Sequence, residues 1–184
     1  ALRELCDTYH MPLFLDGARL GYGLMAGETD VTLKVIAEYC DAFYIGGTKV
    51  GALFGEAVVL PKKDRIPHFF TMIKQRGALM AKGRILGIQF DTLFTDDLYF
   101  KISRHAIDMA MKMKQGFLEK GYALYLDSMT NQQFVVLEPE KLKALSEKVT
   151  FGFWENLEDG RTVVRFATSW ATLETDVDAL LALI

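Results

Sequence analysis

Three residues in this chain have the chemistry of a site, and each is ambiguous alone. Asp16 closes the apolar run PLFLD, just before Gly17. At the carboxyl end of a strand, where open α/β sheets gather their ligands, a carboxylate can pair with a protonated ring nitrogen. The plainer role is that of a turn or capping aspartate. Lys49 stands in GGTKVG, between Gly47 and Gly51. Flanking glycines let the backbone approach a bound group closely, and a lysine in a dry cleft becomes a nucleophilic amine. In an open loop it is a solvated cation. Arg165 lies in RTVVRFATSW. Strand alternation puts it on the face of Val163, opposite Val164 and Phe166. A guanidinium set in an apolar strand needs an anion, either a substrate carboxylate or a buried Asp or Glu. The relation between the first two says more than either. Asp16 and Lys49 are 33 residues apart, the span of one strand–helix–strand crossover, which returns both to the same edge of a sheet.

The elements that must position them follow from periodicity. Residues 1–9 read as the end of a helix, with Leu2, Leu5 and Cys6 at helical spacing, stopped by Pro12. PLFLD reads as a buried strand, followed by a segment loosened by Gly17, Gly21 and Gly23. Thr29 or Asp30 caps a helix over 31–40. AFYI and EAVVLP are two further strands, and the apolar runs suit strands of a parallel sheet covered on both faces. Residues 64–90 read as mostly helical, interrupted near Gly77 and Gly83. A long helix over 96–120 places Ile102, Ala106, Ala110, Met113 and Phe117 on one face, with Met113 and Met109 as its core methionines and Gly121 as its C-cap. From Tyr122 onward, four short strands, a helix at 140–148 and another at 174–184 describe a small α+β domain. The expected division is therefore 1–120, part of an α/β layer domain with its long helix, and 121–184.

Composition excludes several classes. The 184 residues are 51% hydrophobic and 24% charged, with net charge -3, so the chain is globular and carries no basic block for nucleic acid or an anionic membrane. No apolar run reaches transmembrane length. Two cysteines, Cys6 and Cys40, are too few for a disulfide framework and fit reduced thiols of a cytoplasmic protein. His10, His68 and His105 are scattered singly, with no metal-ligand spacing.

The segments LFLDGARLGYGL, FYIGGTKVGALFGEAVVL, KQRGALMAKGRILGIQF and VVRFATSWATLETDVD together resemble the low-specificity L-threonine aldolase and β-eliminating lyase family, essentially from Ala1 to Ile184. The resemblance implies a fold-type-I pyridoxal-phosphate (PLP) enzyme: part of a three-layer α/β/α large domain, then the small domain. It implies that Asp16 pairs with the pyridinium nitrogen, Lys49 is the Schiff-base lysine, and Thr48 touches the phosphate. Arg19 and Arg165 would hold the substrate carboxylate. Lys82 or Arg84, with Arg76 a weaker third, would reach a phosphate, often that of a neighbouring subunit. The implied reaction is cleavage of β-hydroxy-α-amino acids, threonine giving glycine and acetaldehyde, by a cytoplasmic homodimer or homotetramer. A β-eliminating lyase, an aminotransferase or a non-catalytic relative shares the same residues.

The family's phosphate loop and ring-stacking residue are not found in this sequence. Ala1 falls inside a helix already under way, with no initiator Met. The expectation is that an upstream part is missing, that the sheet is left with an open apolar edge, and that this chain alone is inactive.

Overall fold

The computed structural model describes residues 1–63 and 65–184, in two compact units. The first comprises Ala1–Leu24 and Thr29–Tyr99, the second Met25–Glu28 and Phe100–Ile184.

The first unit is built on three strands. β1 (Phe14–Leu15) and β2 (Ala42–Ile45) run parallel, with Phe14 opposite Ala42 and Leu15 opposite Phe43. Helices α2 (Leu20–Met25) and α3 (Leu33–Tyr39) occupy the crossover, as the spacing of Asp16 and Lys49 requires. β3 (Ala57–Val59) then pairs with β2 antiparallel. The short connection from β2 carries no helix to bring the chain back, so it can only reverse direction.

Only one face of this sheet is covered by the described residues, contrary to the expectation of strands covered on both. Phe43 and Ile45 are buried, whereas Phe14 and Val58 are 58% and 59% exposed on the other face, beside Tyr44. α1 (Leu2–Thr8) likewise buries only Cys6, while Leu2 and Leu5 stand exposed. Cys6 and Cys40 are both free and buried.

Two local readings of the sequence are corrected. The glycine-loosened stretch after Asp16 is helical as α2, because Tyr22 and Leu24 are buried and packing overrides the poor helix propensity of Gly21 and Gly23. The cap of α3 is Thr32, whose hydroxyl accepts from the Val35 N–H at 3.2 Å. Thr29 instead closes a turn with the N–H of Val31.

Asp41 ties the unit together. Its carboxylate, 7% exposed, accepts from Arg3 and from the Leu13 N–H, each at 2.8 Å, and pairs with Arg65 at 2.9 Å. One side chain thus joins α1, the start of β1 and the segment after β3.

The expected helical stretch over 64–90 resolves into α4 (Phe69–Gln75) and α5 (Arg84–Phe94). Its start at Asp64 lies outside the described residues. Gly77, at φ 71°, ends the first helix and Gly83 caps the second. α4 buries no residue and α5 only Leu93.

The second unit is organised by α6 (Leu98–Glu119). The helix begins later than expected because Asp96 and Asp97 adopt left-handed backbone (φ 51° and 58°). It ends as predicted. Gly121 takes φ 78°, its N–H bonds the Leu118 carbonyl, and the Tyr122 N–H bonds that of Phe117. The Tyr122 ring completes the cap, edge-on to Phe117 at 5.5 Å.

β4 (Ala123–Leu124), β5 (Gln132–Leu137), β6 (Gly152–Asn156) and β7 (Thr162–Ala167) form one antiparallel sheet in the order β4-β5-β7-β6. Its inner face, with Val135, Leu137, Val164 and Phe166, packs on Met109, Met113 and Phe117 of α6. α7 (Pro139–Ser146) and α8 (Glu174–Leu183) add Leu145 and Val177. The alternation read in the sequence is the one observed. Among the described residues no helix is long and apolar enough to cross a membrane.

Candidate active site

Asp16 follows β1 directly and Lys49 follows β2 by a four-residue turn. Because the two strands are adjacent and parallel, both residues fall at the same carboxyl edge. Glycines make this edge possible through close approach. The Gly46 N–H bonds the Gly17 carbonyl at 2.9 Å. A Cβ on Gly46 would stand 2.5 Å from the carbonyl oxygens of Gly17 and Ala18, and one on Gly17 would overlap that of Tyr44.

The Asp16 carboxylate is oriented by two donors on a single oxygen. Oδ1 accepts from the Tyr44 hydroxyl and from the Ala18 N–H at 3.0 Å, and no described residue donates to Oδ2. Asp16 is held below the usual carboxylate range, first by the Tyr44 hydrogen bond and then by the Ala18 N–H. The positive charges of Lys49 and Arg19 add to the effect. The same bond, together with burial, pushes the Tyr44 phenol up.

The GGTK turn is fixed from both sides. Glu56 accepts from the Gly47 N–H and, at 2.9 Å, from the Thr48 hydroxyl, while the Tyr22 hydroxyl donates to the Lys49 carbonyl. The Lys49 side chain itself is exposed within this chain, not enclosed in a dry cleft, and no described residue pairs with its amine. Gly47 also meets a demand from the chain's own packing. A Cβ there would meet the Gly55 carbonyl at 2.7 Å and the Phe90 ring at 2.8 Å, so it is small to admit the chain's own packing. The Thr48 hydroxyl hydrogen is committed to Glu56, and a phosphate contact would require that bond to be exchanged.

Tyr99, fully buried, joins the two strand ends. Its hydroxyl accepts from the Gly21 N–H at 3.1 Å and donates to the Gly46 carbonyl at 2.8 Å, and burial pushes its pKa strongly up. Gln89 of α5 clamps the loop beyond Lys49: Oε1 accepts from the Leu53 N–H at 2.7 Å and Nε2 donates to the Phe54 carbonyl at 3.1 Å. Lys82 and Arg84 sit at the start of that same helix and Arg76 ends α4. All three are exposed and make no ion pair among the described residues. Arg19, half-buried beside Asp16, makes none either.

Arg165 lies in the second unit, on β7 between Val164 and Phe166, half-buried. It lines a cleft of about 520 Å³ with Phe151, Val177 and Leu180. Gly152 of β6 lies directly opposite it in the sheet. The sequence left open a buried Asp or Glu as its partner. Among the described residues it has no ion pair, so the guanidinium is available to an external anion.

Sequence reasoning did not find Tyr44, Glu56, Tyr99 or Gln89. For Tyr44 a signal existed, since even-numbered positions of β2 share a face with Asp16 once the register is known. For the others the contacts span loops and helices, and no period in the sequence announces them.

The element order and the adjacent parallel strand ends are those of the fold-type-I PLP enzymes, and solved structures share this fold. The fold matches a serine palmitoyltransferase from Sphingomonas wittichii at TM-score 0.69 with 13% identity, over 99% of this chain and 48% of that one. The chain belongs to the beta-eliminating lyase family, which matches residues 1–140. It is similar to a threonine aldolase from Leishmania major, with TM-score 0.93 and 40% identity over 99% of this chain and 53% of that chain. It is also 26% identical to a low-specificity L-threonine aldolase of Pseudomonas aeruginosa, over 97% of this chain and 50% of the relative. The chain thus spans about half the length of the relatives it matches.

Proposed function

We propose that the protein is a PLP-dependent aldehyde lyase that cleaves β-hydroxy-α-amino acids between Cα and Cβ, threonine or allo-threonine giving glycine and acetaldehyde. The observation that carries this reading is the Asp16–Lys49 pair at one sheet edge, with Asp16 Oδ2 and the Lys49 amine both unengaged by the described residues. These residues fit the cofactor. Asp16 would keep a proton on the pyridine nitrogen, and Lys49 would hold the aldehyde carbon through Nζ. Thr48 and one of Lys82 or Arg84 would serve the phosphate. When bound, PLP supplies an electron sink for the pair released at Cα.

Arg19 would hold the substrate carboxylate by charge-assisted hydrogen bonds. Arg165 is assigned the same role on the family resemblance and because no described residue pairs with it as an anion. Fixing the carboxylate orients the Cα–Cβ bond for cleavage. The β-hydroxyl proton then leaves to a base, and Cα takes up a proton. We assign residues 1–120 to the cofactor-binding domain and 121–184 to the small domain. By compactness alone, α6 from Phe100 onward groups with the small domain.

The reading is tested on the polypeptide as its gene encodes it, given PLP and L-threonine or L-allo-threonine. Glycine and acetaldehyde are expected in equal amounts. The family name itself favours the second reading, β-elimination, which would give 2-oxobutanoate and ammonia instead. The absence of any visible cofactor band would point to a non-catalytic relative.

A homodimer or homotetramer is part of the same proposal. Phe70, Met72, Leu79, Met80, Ile85 and Ile88 are all more than 40% exposed on and between α4 and α5, an apolar concentration that supports association with further polypeptide. Light scattering should report at least a dimer, and a monomer with full activity would remove the idea.

A further inference from the structure

We infer that Tyr44 is a positioning residue: by donating to Asp16 Oδ1, its hydroxyl fixes the carboxylate so that Oδ2 alone is left for a ring N–H. The inference rests on the functional reading above, because it concerns how Asp16 meets the cofactor. The geometry is specific. A carboxylate on a short side chain can turn either oxygen outward. Here both protein donors, the Tyr44 hydroxyl and the Ala18 N–H at 3.0 Å, converge on the same one. Tyr44 lies on the sheet face that also carries Phe14, its ring 6.2 Å from the Phe14 ring. The β1–β2 register places that face under Asp16. The hydroxyl is therefore delivered by the sheet and not by a loop.

The charged and titratable groups around the pair are few. Lys49, after β2, and Arg19, after β1, act on Asp16. Glu56, before β3, acts on Tyr44. Of these only Tyr44 makes a side-chain hydrogen bond to Asp16, and it is the first cause of the lowered Asp16 pKa. The sign follows. A donor that stabilises the carboxylate keeps it ionised to lower pH, so removing the donor moves the loss of charge to higher pH.

Tyr44→Phe removes one oxygen and keeps the ring against Phe14, so the fold is retained. In the gene-encoded polypeptide without cofactor, the Asp16 carboxyl carbon, followed by NMR and identified with Asp16→Asn, should titrate at higher pH in Tyr44→Phe. With PLP added, the dissociation constant should rise about fivefold, the scale of one hydrogen bond, and the acid limb of PLP binding should move up in pH. Difluorotyrosine at position 44, a stronger donor, should move both limbs the opposite way. If the wild-type protein binds PLP in an Asp16-dependent manner but neither replacement moves the titration or the affinity, the inference fails while the functional reading stands. If the wild-type protein shows no PLP binding, the functional reading fails first.

Discussion

Replacing Lys49 with alanine is expected to abolish the visible band of bound PLP, at about 420 nm for a protonated imine of this cofactor. Aldehyde formation should fall by on the order of 10³-fold, the scale on which loss of a positioned catalytic group acts. The physical basis is that the turn around residue 49 is held independently of its side chain. Glu56 grips the Gly47 N–H and the Thr48 hydroxyl, and Tyr22 holds the Lys49 carbonyl. The side chain itself is exposed and bonds none of the described residues, so stability should change by less than about 0.5 kcal/mol. Absorbance, product formation and urea midpoint together make the test. A folded variant that keeps the band would remove Lys49 from the assigned role, and one that unfolds would contradict the expected stability. A null stability change with complete spectral loss is the outcome the proposed role predicts.

The largest stability effect is expected at Asp41. Asp41→Ala leaves the Leu13 N–H without its side-chain acceptor, takes the anion from Arg65, and takes one of two carboxylates from Arg3, which keeps Asp7 at 2.8 Å. The cost is about 2 kcal/mol, the scale of leaving a poorly solvated donor without its acceptor, because among the described residues the Leu13 N–H has only the Asp41 carboxylate to bond. The pH dependence has a definite sign. The Leu13 N–H first, then Arg3 and Arg65, hold the Asp41 carboxyl below its ordinary value. Its contribution is therefore fully present above about pH 4, the unfolded carboxylate value. It is lost as pH falls from there through the depressed folded value. Asp41→Asn should be less stable at neutral pH and should lose less stability on acidification. Urea midpoints measured from neutral pH down to about pH 2.5 compare the two curves, and parallel curves would contradict the assignment.

Much of the architecture was legible because chain connectivity and side-chain period carry it. A strand, a helix and a second strand in sequence leave little choice but a parallel pair, and so Asp16 and Lys49 could be placed at one edge before any coordinate was known. The face of α6 with Ala106, Ala110, Met113 and Phe117 was readable from three- and four-residue steps, and Gly121 from the need for a left-handed cap. The errors have a common origin. Two glycines spoke against a helix at Leu20–Met25, but the burial of Tyr22 and Leu24 outweighed them. Gly47 was read only as allowing close approach to a bound group, and its crowding by Gly55 and Phe90 was missed. In both cases a residue distant in sequence decided the outcome.

The sequence by itself determined which groups could do chemistry here: a strand-end carboxylate, a lysine in a glycine-bounded turn and an arginine in an apolar strand, since residue type and spacing suffice for that. Only the tertiary structure decided how those groups are held. Tyr44 reaches Asp16 through strand register, Glu56 closes the GGTK turn across nine residues, and Tyr99 bridges Gly21 and Gly46 across a separation of 78 and 53 positions. Hydrogen bonds depend on distance and angle in space, and no local pattern in a chain encodes which remote donor will arrive.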